Sequence, residues 1–110
     1  MNGIYRRIWQ HAAALPLLPG ALRLALEGYV TGGSKRNRTY VADKVRVDPR
    51  VPQDLNEVAF DPQTSGGLLI AVPEREAEAL ARALLNEGVL AAAVIGEATA
   101  HSAMWAELVE

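Results

Sequence analysis

Apolar and polar positions along this 110-residue chain fall into short blocks, and the clearest lie in its second half. Gly67 to Val72 is an unbroken apolar run, which predicts a strand buried on both faces. Pro73 with Glu74 and Glu76 opens a helix, the acids lying at its positive end. Ala77, Leu80, Ala81 and Leu84 share one face of that helix, and Glu78 precedes Arg82 by four residues as a favourable surface pair. Gly88 closes the helix, and Ala91 to Ile95 reads as a second buried strand ended by Gly96. Together these segments predict a βαβ unit of about thirty residues with a right-handed crossover. Two such strands cannot stand alone, so at least one earlier strand must share their sheet.

The first half is less regular. Ile4, Ile8 and Trp9 can lie on one helical face. Leu15-Pro-Leu-Leu-Pro19 forces an extended entry, because each proline disfavours helix in the residue before it. Pro19 suits the first turn of a short helix over roughly 19–27, with Leu22, Ala25 and Leu26 as its stripe and Gly28 as its stop. Thr31 to Arg38, with paired glycines among polar and basic residues, predicts a loop. Thr39 to Val41 and Lys44 to Asp48 are β-prone, Val45 and Val47 alternating with charge. Pro52 to Phe60 predicts a short helix with Leu55, Val58 and Ala59 inward, and a last amphipathic helix carries Met104, Trp105 and Leu108. The pattern as a whole is α/β (α+β), a partial mixed sheet ending in the βαβ unit, with no internal repeat.

This length fits one small domain or a piece of a larger one, with a thin core. The absence of cysteine excludes disulfides, thiolate metal sites and a cysteine nucleophile, and suits a cytoplasmic setting. His11 and His101 have no partner at metal-ligand spacing, so no metal site is expected. No apolar run approaches the roughly twenty residues that span a bilayer, and no leader pattern follows Arg6 and Arg7; the expectation is a soluble, untargeted protein with no membrane partner.

Charge is divided along the chain. Residues 1–50 hold nine Lys and Arg against three acids, a balance of +6; residues 51–110 hold two against ten, a balance of −8. A basic half can serve an anionic partner such as phosphate or nucleotide. The simpler reading is that the two halves neutralise each other, within the chain or across an interface. Nucleic acid is not expected, since the basic cluster is short and Tyr40 is its sole adjacent ring.

Two segments can carry chemistry. In Phe60-Asp-Pro-Gln-Thr-Ser-Gly-Gly-Leu-Leu69, Asp61 before Pro62 favours a turn, and Thr64, Ser65, Gly66 and Gly67 offer hydroxyls and backbone N–H groups ahead of the predicted strand. Such a turn can hold an anion, or its hydroxyls can simply cap local backbone. It is not a P-loop, because no lysine follows the glycines and a strand rather than a helix comes next. In Gly32-Gly-Ser-Lys-Arg-Asn37, Lys35 and Arg36, with Arg38 beyond, can meet phosphate oxygens or lie solvated in an ordinary loop.

Asp61-Pro-Gln-Thr-Ser-Gly-Gly-Leu-Leu69 resembles the characteristic segment of selenophosphate synthetases, the selenide, water dikinases. Ala14-Leu-Pro-Leu-Leu-Pro-Gly-Ala21, Gly32 to Asn37 and Ala93-Val-Ile-Gly-Glu97 agree in order and spacing, so the resemblance covers residues 12–98. Residues 1–11 and 99–110 do not follow the pattern. The resemblance implies the carboxy-terminal part of such an enzyme, in the superfamily of aminoimidazole ribonucleotide synthetase, and a fold like that enzyme's C-terminal domain. It implies a dimeric, magnesium-dependent reaction in which ATP, selenide and water give selenophosphate, AMP and phosphate. The family's catalytic cysteine or selenocysteine, its lysine and its metal-binding aspartates precede the matched part, so no catalytic or metal-binding residue maps here. By the same resemblance Gly32, Gly33, Ser34, Lys35, Arg36 and Asn37 form one phosphate-facing loop, and Thr64, Ser65, Gly66 and Gly67 another. The expected partners are a second copy or a missing catalytic domain. The alternative is a non-catalytic module that self-associates or binds a partner, with a small-anion sensor at Ser34 to Arg38 as a third reading.

Overall fold

The structure, a computed structural model, describes residues 7–100 and 104–110. A first strand, β1 (Arg7–His11), leads through a single 3-10 turn (Ala12–Ala14) and the proline segment into α1 (Ala21–Leu26). Then follow α2 (Gly32–Tyr40), β2 (Val45–Val47), α3 (Gln53–Ala59), the long α4 (Glu74–Asn86), β3 (Gly96–Thr99) and β4 (Ala106–Val109). The strands form one mixed sheet in the order β2-β4-β1-β3, with β4 parallel to both β2 and β1, and β3 antiparallel to β1.

Strand register divides this sheet into two chemically different faces, since successive side chains alternate. One rung aligns Val47, Leu108 and Gln10. The next rung crosses all four strands as Arg46, Glu107, Trp9 and Glu97. The first face is the apolar one. There Leu108 and Val47 meet Leu55 and Ala59 of α3, together with Ala12 and Val51. Among the described residues Ala12, Val51 and Leu108 are the buried hydrophobics, which makes a thin core. The other face carries charge. Glu107, its side chain 4% exposed, is paired with both Arg7 and Arg46, and the Arg7 guanidinium lies 4.2 Å from the Trp9 ring centroid.

Turn chemistry explains the element ends. Gly28 and Gly88 follow α1 and α4 with φ of +92° and +89°, a region open to glycine without a side-chain clash. Thr31 starts α2 by accepting the Ser34 N–H at 3.1 Å. The helices predicted over 19–27 and 52–60 and the strand around Val45 and Val47 are present as α1, α3 and β2. On α4 the predicted stripe of Ala77, Leu80, Ala81 and Leu84 is half-buried, while the remaining residues are exposed.

Several expectations are overturned. Thr31 to Arg38 is not a loop: Thr31 caps a helix that runs from Gly32 through Thr39 and Tyr40. Gly67 to Val72 has no regular secondary structure and joins no strand ladder, and every residue in it is exposed. Ala91 to Ile95 also lies outside the sheet, touching it where the His11 N–H donates to the Ile95 carbonyl at 2.7 Å. The βαβ unit is therefore absent, because neither apolar run is laddered against a neighbouring strand. The final amphipathic helix is instead β4, parallel to β1; its Glu107 and Leu108 are buried on opposite faces of the sheet. Ile8 and Trp9 lie in β1 rather than a helix; Ile4 and His101 lie outside the described residues. Glu78 and Arg82 form no ion pair, and the pair on α4 is Arg75 with Glu76 at 3.6 Å.

Part of the divided charge is met inside the chain. Arg7 and Arg46 meet Glu107, Arg38 meets Glu57 at 3.3 Å, and Arg50 approaches Glu110 at 3.9 Å. Each joins the basic half to the acidic half.

Candidate functional site

The two glycine-containing segments singled out from the sequence meet in space. α2 begins at Thr31, whose hydroxyl accepts the Ser34 N–H and lies 3.2 Å from the Ser34 hydroxyl. Ser34, 2% exposed, donates in turn to an Asp61 carboxylate oxygen at 3.3 Å. Asn37, one helical turn on, donates its side-chain N–H to the Phe60 carbonyl at 3.0 Å. Arg38 extends the same seam: it bonds the Asn56 side-chain oxygen at 2.7 Å and lies 4.3 Å from the Phe60 ring centroid. The amino-terminal half of α2 is thus fastened to the chain entering Asp61-Pro-Gln-Thr-Ser.

The glycine at the centre of this contact has a steric role. A Cβ on Gly33 would lie 2.5 Å from the Pro62 Cγ, inside any normal contact distance. Glycine is a weak helix former, costing about 1 kcal/mol relative to alanine. The sequence therefore predicts a loop, but close approach to Pro62 and the Thr31 cap favour helix. The signal that could have found it was Thr31 placed three residues before Ser34, a capping spacing hidden by the two glycines.

The seam sorts the ten candidate residues into three kinds. Ser34 and Asn37 are committed to holding Asp61 and Phe60. Gly32 and Gly33 form the first turn of α2. Lys35 and Arg36 are exposed, take no ion pair among the described residues, and line an open depression with Thr39 and Tyr40. Thr64, Ser65, Gly66 and Gly67 are also exposed, in the turn that follows the seam. A Cβ on Gly66 would lie 2.9 Å from the Gln63 side-chain oxygen, whereas Gly67 faces open space. The structure thus brings Gly32 to Asn37 against Asp61 and Pro62, and leaves Thr64 to Gly67 projecting beyond them.

A second constellation went unnoticed in the sequence. A concavity of about 350 Å³ on the charged sheet face is lined by Trp9, Arg46, Asp48, Pro49, Arg50, Glu107, Leu108 and Val109. Its residues come from three separate strands and a turn, a juxtaposition no local motif reveals. Its charges are internally matched: Arg50 donates to Asp48 at 2.9 and 3.1 Å, and Glu107 takes two arginines. The Arg50 hydrogen bonds lower the Asp48 pKa to about 2 and raise that of Arg50. Among the described residues no group of three or more His, Cys, Asp or Glu side chains is placed to hold a metal ion, and no helix is long and apolar enough to cross a membrane.

No protein-family model matches the chain. Individual proteins do. A selenide, water dikinase of Agathobacter rectalis is 47% identical over 81 residues, 74% of this chain and 24% of that protein. That of Pelobacter propionicus is 45% identical over 86 residues, 78% of this chain and 25% of its own length. That of Caldanaerobacter subterraneus is 43% identical over 84 residues, 76% of this chain and 24% of its own. Over most of its length this chain belongs to the selenide, water dikinase family. It spans about a quarter of the curated relatives it matches. Among its dikinase-like segments, Gly32 to Asn37 and Asp61 to Gly67 form and adjoin the seam just described.

Proposed function

We propose that this chain acts as the carboxy-terminal portion of a selenide, water dikinase and has no catalytic turnover by itself. The reading draws first on the seam in which Ser34 bonds Asp61 and Gly33 admits Pro62, because it joins two segments that resemble the dikinase pattern. Phosphoryl transfer depends on metal ions and positive charge gathered around the transferring group. In this reading the catalytic half, with ATP and magnesium, comes from another domain. This chain supplies the brace behind it.

Within that brace the roles differ by chemistry. Thr31, Ser34, Asn37 and Arg38 are hydrogen-bonded into the seam and fix α2. Lys35 and Arg36 are left with free charge, and they are the groups offered to phosphate oxygens, lysine as a point charge and arginine as a planar fork. Thr64 to Gly67 adds hydroxyls and backbone N–H groups from the adjoining turn. Asp61 does not serve phosphate, because its negative charge is directed at Ser34.

The test is a chimera in which the matching quarter of the Agathobacter rectalis relative is replaced by residues 12–98 of this chain. Selenide-dependent formation of AMP from ATP is expected from the chimera and not from the isolated chain. A folded chimera without activity, or an active isolated chain, would overturn the reading. Replacing both Lys35 and Arg36 by alanine in the active chimera is expected to raise the KM for ATP about tenfold, the cost of a lost charged contact.

A further inference from the structure

We infer that Arg38 is a positioning residue: its guanidinium holds the carboxyl end of α3, thereby aims the turn from Asp61 to Gly67, and is not itself offered to phosphate. By sequence Arg38 stands with Lys35 and Arg36 as a cation able to meet an anion. In the structure it parts from them. Lys35 and Arg36 are exposed, whereas Arg38 is half-buried and both of its Nη atoms are engaged. Nη1 donates to Asn56 Oδ1 at 2.7 Å, and Nη2 donates to the Asn56 carbonyl and to Glu57 Oε2, each at 3.3 Å.

These acceptors sit where α3 needs a donor, since the last carbonyls of a helix have no partner within it. The final turn of α3 also tightens. The Phe60 N–H donates to the Glu57 carbonyl at 3.4 Å, and the Asp61 N–H donates to that of Val58 at 3.1 Å. Both bonds reach back three residues rather than four, which leaves the Asn56 carbonyl to Arg38. The guanidinium lies 4.3 Å from the Phe60 ring centroid as well. One side chain thus grips the last turn of α3 and the residue directly before Asp61. The direction in which the chain leaves α3 then decides whether Asp61 reaches Ser34 and whether Pro62 meets Gly33. Lysine is no substitute here, because one ammonium on a flexible stem offers neither the planar fork nor a flat surface to the ring.

Amide hydrogen exchange of the purified chain tests the positioning without reference to any activity. Arg38→Ala and Arg38→Lys are both expected to speed exchange of the Phe60 and Asp61 N–H groups about tenfold or more. The His11 N–H, bonded to the Ile95 carbonyl elsewhere in the molecule, should keep its rate. Asn56→Ala retains Arg38 and removes one acceptor; it should speed the same two groups about threefold, and it decides the matter if His11 protection is lost in the Arg38 variants. The consequence for ATP rests on the dikinase reading. In the active chimera both Arg38 variants should raise the KM for ATP about tenfold and leave kcat within about twofold. Unchanged exchange at Phe60 and Asp61 in Arg38→Ala would overturn the inference. So would unchanged exchange and KM in Arg38→Lys, because charge alone would then suffice. Faster exchange with an unchanged KM would reduce Arg38 to a stabilising contact and overturn it too. A folded parent chimera without activity removes the dikinase reading instead, and the exchange rates alone then decide this one.

Discussion

Residues 7–60 and 104–110 hold one another through a core, a sheet and ion pairs, whereas residues 61–95 contain no buried side chain. The first region is poor in apolar runs and rich in arginine. The second holds the longest apolar run and the helix with the cleanest stripe. Apolar content therefore did not decide which region is packed. Neighbours did. Val47 and Leu108 are buried because parallel strands place them side by side under α3, while Leu68 and Leu69 have no adjacent strand at all.

Substitutions can break that contrast, and the largest effect is expected at Gly96. A Cβ there would collide with the Trp9 backbone carbonyl, so Gly96→Ala should separate β3 from β1 and cost about 3 kcal/mol or more in urea unfolding. Gly67→Ala, in open space, should change stability by less than about 0.5 kcal/mol. Next comes a leucine pair. Leu108→Ala is expected to cost about 2–4 kcal/mol, while Leu69→Ala stays within about 0.5 kcal/mol in the same urea unfolding. Equal costs at the two leucines would erase the distinction between the regions. A smaller loss, about 1 kcal/mol, is expected for Thr31→Ala, which removes the α2 cap; helical circular dichroism should fall with it.

The smallest effect is a pH dependence. The Asp48 pKa, lowered from 3.8 to about 2 by the Arg50 hydrogen bonds, makes the ionised form favour the folded chain. That contribution is complete above about pH 4 and is lost as pH falls toward 2, the sign expected for a depressed carboxylate. Asp48→Asn should flatten the stability profile in that window, lying below the unsubstituted chain by a constant amount above about pH 4 and converging with it toward pH 2. No flattening would mean that the pair with Arg50 is as weak in the folded chain as in water.

Legibility in the sequence followed sequence distance. α1, α3, β2 and α4 were readable because proline, glycine and helical spacing act locally. The opening and closing strands were not, because Arg7 to His11 and Ala106 to Val109 become strands by pairing with partners far along the chain, among them each other, nearly a hundred residues apart. The candidate site was half legible. Its residue types and the Asp61-Pro62 turn stood out, but the helical state of Gly32 to Tyr40 depended on a cap and on Pro62 fitting against Gly33. Reading Gly67 to Val72 as a buried strand assumed a neighbour that this fold does not provide. The family assignment survives that failure, because it rests on sequence identity across three quarters of the chain and not on that strand's pairing.

The two inner strands of the sheet, β1 and β4, are nearly a hundred residues apart in sequence. Their union closes a loop spanning almost every other residue, the slow kind of contact in folding. During synthesis β1 must wait until the ribosome has released Ala106 to Val109 before its central neighbour exists. Completion of the sheet is therefore late, and cutting the chain within either β1 or β4 should unmake it.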